Sequence, residues 1–85
     1  MKSIERIQTG LRLEKRLVKV LKATAEYLDI SMAELVEAVV LHAFEGKGPF
    51  STETQGKIAQ LKDVFGLDLT AADSHQLKEP DEEHG

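Results

Sequence analysis

Residues 7–13, Ile7-Gln8-Thr9-Gly10-Leu11-Arg12-Leu13, alternate between apolar and polar positions. A period of two is typical of a β-strand, because successive side chains of a strand point to opposite faces. One short strand cannot satisfy its own backbone donors and acceptors, and no other segment of the chain has a comparable pattern. We therefore expect this strand to pair with the same segment of a second chain.

Two helices are predicted after the strand. From Glu14 to Leu28 the apolar residues recur at intervals of three and four, which predicts an amphipathic first helix. Ser31-Met32-Ala33-Glu34 matches a capping box and predicts the start of a second helix, which Gly46 is expected to end. The second helix is apolar on more than one face, so it needs cover that a chain of this size does not supply.

The second half of the chain is more polar and contains fewer predicted elements. A linker, Lys47-Gly48-Pro49-Phe50, precedes an extension over 47–77 that contains a predicted third helix, 53–65. One further turn is predicted to start at Thr70. The acidic stretch 78–85 has no large apolar side chain beyond its proline and is predicted to be disordered.

Composition excludes several classes of protein. Eighty-five residues accommodate one domain, and the absence of cysteine excludes disulfides, zinc-thiolate centres and thiol catalysis. The longest uncharged apolar stretch, Ala38–Phe44, is much shorter than the ~18 to 20 residues that span a bilayer. With no signal sequence in residues 1–6, a cytoplasmic location is expected.

Charge is distributed unevenly along the chain. Residues 1–22 contain seven basic and two acidic residues, whereas the other 63 contain four basic and thirteen acidic ones. The first part therefore has a net charge of +5 and the rest −9, although the whole chain is acidic at −4. A phosphate responds to charges within a Debye length of ~8 to 10 Å, so this asymmetry favours a local surface for an anionic partner. The alternative is an ordinary solvated helix face.

The order of these elements resembles a known superfamily. A short alternating strand, a helix, a tight turn ending in serine and a second capped helix are similar to the ribbon-helix-helix (MetJ/Arc/CopG-like) DNA-binding superfamily over residues 6–46. The resemblance depends on Gln8–Leu13, Glu14-Lys15-Arg16-Leu17 and Asp29–Leu35. It implies a mainly α fold with one short N-terminal strand, in an intertwined homodimer whose intermolecular two-stranded antiparallel ribbon enters the DNA major groove. Residues 1–5 would then form an N-terminal arm, and 6–46 the dimerisation and DNA-binding domain.

The polar face of the predicted strand supplies the candidate base contacts, which are Arg6, Gln8, Gly10 and Arg12. Arginine suits the O6 and N7 acceptors of guanine, and glutamine suits the acceptor and donor of adenine. Gly10 departs from the outward polar side chain that the superfamily usually has at the matching position. It either lets the backbone approach the bases or leaves base reading to Arg6 and Arg12. The alternative is that this face is only the solvent side of a half-buried strand.

Candidate phosphate contacts lie at the two helix starts: Ser31, Met32, Ala33, Lys15 and Arg16. Free amides and the positive end of the dipole make a helix N-terminus a site for phosphate, and the resemblance implies that the turn at Ser31 clamps the DNA backbone. The alternative is that Ser31 only caps its helix. Asp29 places a negative charge where the superfamily often has glycine before the serine, which disfavours a phosphate contact.

The apolar positions of the strand and the two helices are predicted to form the core and the dimer interface. These positions are Leu11, Leu13, Leu17, Leu21, Leu28, Leu35, Val36, Val39 and Phe44. No catalytic or metal-ligand spacing is present, so the sequence predicts neither an enzyme nor a metal or cofactor site. His42, which lies among apolar residues, is interpreted as a satisfied interface histidine.

The predicted function is sequence-specific binding of double-stranded DNA as a dimeric transcriptional regulator, most often a repressor, with higher-order assembly on DNA. One alternative is an antitoxin whose residues 47–85 neutralise a toxin. The other is a helical protein-interaction module that does not bind DNA and whose acidic C-terminal half binds another protein. Arg12→Ala distinguishes the DNA hypothesis from this module.

Overall fold

The computed structural model describes residues 2–80, and within them it contains three α-helices and one short 3-10 turn. Helix α1 spans Lys15–Leu28, α2 spans Met32–Phe44 and α3 spans Thr52–Phe65. The 3-10 turn spans Ala71–Asp73. Helix α1 is central, since it packs against both α2 and α3.

Local sequence explains where the first two helices begin. The Glu14 carboxylate accepts a hydrogen bond from the Leu17 amide at 2.9 Å and caps α1. At α2 the predicted capping box is confirmed: Ser31 Oγ accepts from the Glu34 amide at 3.0 Å, and the Ser31 amide donates to the Glu34 carboxylate at 3.3 Å. Each contact satisfies a backbone donor that has no partner within its own helix.

Backbone conformations with positive φ end the helices. Asp29 follows α1 with φ 59° and ψ 43°, a left-handed conformation that Asp tolerates better than most non-glycine residues. Gly46 follows α2 with φ 72°, and Gly66 ends α3 with φ 67°. The two glycines adopt this conformation at little steric cost, as expected of residues that end helices.

The core is small and centres on α1. Among residues 2–80 the buried apolar side chains are Val20, Ala25, Leu35 and Leu67, and of these Leu35 is only 1% exposed. Thr24 is buried beside them and donates a 2.7 Å hydrogen bond to the Val20 carbonyl. Four buried apolar residues are few for a chain of this length, since a small domain already buries a low fraction of its surface.

The predicted strand is wrong for this structure. Residues 2–14 adopt neither helix nor strand, and the described part of the chain contains no sheet, so the fold is all-α. The alternation over 7–13 has the period of a strand, but a strand exists only where a second backbone completes its ladder. Residues 2–80 of one chain supply no such backbone. The ribbon-helix-helix fold with an intermolecular two-stranded ribbon is therefore corrected to three helices with an irregular N-terminal segment.

The C-terminal segment, residues 67–80, folds back toward α1. Leu67 is buried and its amide donates to the Lys62 carbonyl at 2.8 Å, which fixes the exit from α3. The 3-10 turn is capped by Asp73, whose carboxylate accepts from the Thr70 amide at 2.8 Å. The predicted disordered stretch 78–85 falls partly here, and its residues 81–85 lie outside the described residues.

Candidate nucleic-acid interface

The N-terminal segment, residues 2–14, presents the predicted base-contacting residues at the surface. Every residue from 2 to 13 is exposed, including Arg6, Gln8, Gly10 and Arg12. Gly10 lies in open space and lacks a positive φ, so nothing in the described chain requires glycine there. This leaves the two arginines and Gln8 as the side chains of this set that can reach a partner.

Arg6 contacts α2 through a two-point ion pair with Glu37. Its Nε donates to Glu37 Oε2 at 2.8 Å and its Nη2 donates to Oε1 at 2.9 Å. These hydrogen bonds lower the pKa of the Glu37 carboxyl and raise that of Arg6. Both side chains remain about half exposed, so the guanidinium is held in place and is still accessible.

Arg12 and Arg16 contact the C-terminal half of the chain. Arg12 Nη2 pairs with the Glu79 carboxylate, and the Arg12 side chain stays 83% exposed. Arg16 Nη1 donates to the Gly66 carbonyl at 2.9 Å and to Asp68 Oδ1 at 3.1 Å. Its Nε donates to Glu14 at 3.1 Å, which raises the pKa of Arg16. The guanidinium of Arg16 thus links the α1 cap to the end of α3.

Three lysines extend the positive surface along α1. Lys15, Lys19 and Lys22 are all exposed and follow one another at intervals of four and three residues, which places them on one side of the helix. None of the three forms an ion pair within residues 2–80. These amino groups are thus available to an anionic partner.

The structure brings Arg6 close to the start of α2. Arg6 pairs with Glu37, which lies one helical turn after Glu34 of the capping box, so the guanidinium is close to the first turns of α2. Ser31 and Ala33 are exposed, and Met32 is partly buried. Because the capping box already occupies Ser31 and Glu34, an anion at this turn would meet the amides of Met32 and Ala33. The carboxylates of Glu34 and Asp29 oppose it electrostatically.

The predicted interface residues fall into three groups. Leu35 is fully buried within its own chain, whereas Leu11, Leu13, Val36 and Phe44 are exposed, Phe44 by 82%. The remaining predicted residues are partly buried, and three of them line an open apolar groove of about 380 Å³ formed by the three helices and the C-terminal segment: Leu17 and Leu21 of α1 and Val39 of α2. Leu28 is partly buried and lies away from this groove.

His42 lies on α2 and contacts the backbone of its own helix. His42 is partly buried, and its Nδ1 lies 2.7 Å from the Ala38 carbonyl oxygen, one turn earlier in α2. Within residues 2–80, no group of three or more His, Asp or Glu residues is arranged to hold a metal ion. No helix in this part of the chain is both long and apolar enough to cross a membrane.

Comparison with known proteins identifies no relative: no family model, curated protein or solved structure matches this chain. What the chain can bind is therefore inferred from its own charges, exposures and contacts. The most distinctive of these is the cationic surface formed by Arg6, Arg12, Arg16 and the three lysines of α1.

Sequence reasoning missed the residues that contact this surface from the C-terminal segment. Asp68 and Glu79 lie 52 and 67 positions from the arginines that they pair with. Local periodicity cannot detect contacts over such separations. The only signal available in the sequence was the opposite charge of the two halves.

Proposed function

We propose that the chain is a sequence-specific DNA-binding protein that acts as a dimeric transcriptional regulator and represses by occluding a promoter. Arg6, Gln8 and Arg12 of the N-terminal segment are the proposed base-reading side chains. Lys15, Arg16 and the start of α2 are the proposed phosphate contacts. No β-ribbon is part of this proposal.

The observation that supports DNA as the partner is the concentration of accessible positive charge. All three arginines of the chain lie between residues 6 and 16, and Lys15, Lys19 and Lys22 of α1 form no ion pair within residues 2–80. The rest of the chain is strongly acidic, so this is a local feature of an otherwise negative protein. Phosphate contacts from such a surface release counterions and supply most of the sequence-independent affinity for DNA.

The arginine contacts also fit this partner. Arg6 already holds a carboxylate with two parallel hydrogen bonds, the same fork geometry that guanidinium uses for phosphate or for guanine. Exposed ion pairs of this kind are weak, so they exchange readily for a competing anion. The guanidinium groups are thus oriented at the surface and can exchange their present carboxylate partners for an anion.

A dimer is proposed because α2 lacks cover. Val36, Val40, Leu41 and Phe44 are all exposed on a helix with only one buried residue, Leu35. A contiguous exposed apolar face on a small protein is typical of an interaction surface. A second copy supplies a self-complementary face and places two N-terminal segments in one particle, which suits a two-fold symmetric DNA site.

Arg12→Ala tests the proposed base contact against a matched control, Lys47→Ala. Both variants remove one exposed positive charge, but Lys47 lies in the linker, and within residues 2–80 its one ion pair is with Glu45, at 3.3 Å. If Arg12 reads a base, Arg12→Ala costs ~1 to 3 kcal/mol of binding free energy and relaxes specificity at one position. Fluorescence anisotropy with a panel of single-base variants of the upstream duplex measures both effects.

Lys47→Ala is expected to weaken binding slightly and equally for every duplex. If Arg12→Ala and Lys47→Ala lower the affinity by the same amount for every duplex, Arg12 is not a base contact. Circular dichroism on both variants checks that the helical content is unchanged.

A second candidate function is a protein-interaction module, which the apolar groove favours. The groove is lined by aliphatic side chains of α1 and α3 and of the C-terminal segment, with Phe50 from the linker. Under this hypothesis, neither Arg12→Ala nor Lys47→Ala changes binding to the protein partner. Leu21→Asn within the groove abolishes it.

A further inference from the structure

Each of the three arginines on the cationic surface is already paired with a carboxylate from outside the N-terminal segment. Arg6 contacts Glu37 on α2, whereas Arg12 and Arg16 contact Glu79 and Asp68, both in the C-terminal segment. The C-terminal segment thus contacts two neighbouring arginines, one just before α1 and one in its first turn.

Apolar contacts hold the C-terminal segment in this position. Leu67 is buried, and Leu69 and Leu77 line the apolar groove together with Leu17 and Leu21 of α1. The segment therefore does not depend on its charges alone to stay close to α1. Apolar burial is insensitive to salt screening, unlike exposed ion pairs.

A cleft separates the two charged regions. It has a volume of about 510 Å³, with Arg12 and Lys15 on one side and Leu77 and Glu79 on the other. The Glu79 carboxylate reaches across it to Arg12. A phosphate that bound the Nη2 of Arg12 would have to displace this carboxylate.

We propose that the C-terminal segment is an internal competitor that masks Arg12 and Arg16 from polyanions. It presents Asp68 and Glu79 to the same guanidinium groups that the proposed function assigns to DNA, so this inference depends on that function. Because the pairs are exposed, the mask is partial and lowers affinity without abolishing it. Displacement of the segment by another molecule would increase binding.

The test uses the full chain with Asp68→Asn and Glu79→Gln combined, and a matched control with Glu53→Gln and Asp63→Asn. Both variants remove two negative charges, but Glu53 and Asp63 are exposed on α3 and form no ion pair within residues 2–80. Affinity for duplex DNA is measured by anisotropy at low and at moderate salt, and thermal unfolding checks both folds.

We expect the Asp68/Glu79 variant to bind DNA about three- to tenfold more tightly than the control at low salt, as the loss of two weak exposed pairs would produce. The difference should narrow as salt rises, because salt already screens the pairs. If both variants bind DNA measurably at low salt and with equal affinity, the mask is overturned.

A second measurement separates failure of the mask from failure of the proposed function. The chain has no cysteine, so Lys78→Cys accepts a single nitroxide label beside Glu79. Paramagnetic broadening of the amide signals of residues 11–13 then reports whether the segment covers Arg12. Duplex DNA and heparin are added separately as polyanion probes.

Broadening that is relieved by both probes supports the mask and DNA binding together. Broadening that only heparin relieves supports a mask against polyanions and rejects DNA as the partner. An absence of broadening in the free protein, or broadening that neither probe relieves, overturns the mask.

Discussion

Helices α1 and α2 differ in how much of their surface is buried, and the difference is the opposite of what their composition suggests. Helix α1 has five charged residues in fourteen and α2 has two in thirteen, yet α1 buries three residues and α2 only Leu35. The more apolar helix is thus the less covered one. Since α1 packs against both α2 and α3, its apolar face is covered within the chain, whereas a second apolar face of α2 is exposed.

Leu35→Ala should cause the largest loss of stability, because it truncates the one residue that α2 buries. Leu35 is the one large side chain of the described residues that is fully buried, so its truncation leaves a cavity between α1 and α2. We expect a loss of ~2 to 5 kcal/mol in the free energy of unfolding, measured by urea denaturation. The cost should persist at every protein concentration because the side chain packs within its own chain. A change below about 0.5 kcal/mol would show that α2 is not anchored through Leu35.

Val40→Ser combined with Phe44→Ser should change assembly more than secondary structure. Both side chains are exposed in the single chain, so the account predicts that they are covered by a second copy. Analytical ultracentrifugation is expected to find the parent chain at twice 9.4 kDa and the double variant at the monomer mass. Val64→Ser, an exposed position on α3, is the control and should remain dimeric. A parent chain found at the monomer mass would show that no second copy covers the exposed apolar face of α2.

Acid should affect the start of α1 before the start of α2. The Leu17 amide, which donates to the Glu14 cap, lowers the pKa of that carboxyl below its usual value of 4.5, with a further contribution from Arg16. A carboxyl with a lowered folded-state pKa stabilises the fold above its unfolded pKa, and this contribution is lost as pH falls through the folded value. At α2 the Glu34 amide is capped by the Ser31 hydroxyl, which does not titrate, and the Glu34 carboxylate makes only the longer contact, at 3.3 Å to the Ser31 amide.

Amide hydrogen exchange of residues 16–18, compared with residues 33–35 between pH 5 and pH 3, measures this difference. Glu14→Gln keeps an acceptor oxygen at the cap and should remove most of the pH dependence at α1. Equal acid sensitivity of the two helix starts in the parent chain would contradict the assigned caps.

Local signals in the sequence were sufficient for the first two helices. The capping box at Ser31 and the glycine at 46 lie where backbone chemistry requires them, and the predicted start at Glu14 differs from the observed one by a single residue. Such features depend on interactions within one turn of helix, so short-range patterns predict them well.

Long-range features could not be predicted in the same way. The alternation over 7–13 predicted a strand, but a ladder depends on a second backbone that residues 2–80 of one chain do not provide. In the C-terminal segment, Leu67, Leu69 and Leu77 are too few and too widely spaced to establish a helical or strand period, so their return to α1 had no local signature. The clustering of arginines was visible in the sequence, and their carboxylate partners were not.

The most direct test of the central claim is the affinity of the parent chain for duplex DNA from its own upstream region and for random duplex, by fluorescence anisotropy at two salt concentrations. We expect salt-dependent binding with a clear preference for the upstream duplex. Binding of both duplexes at the same level, within the non-specific range of ~10⁻⁴ to 10⁻⁶ M, would contradict it.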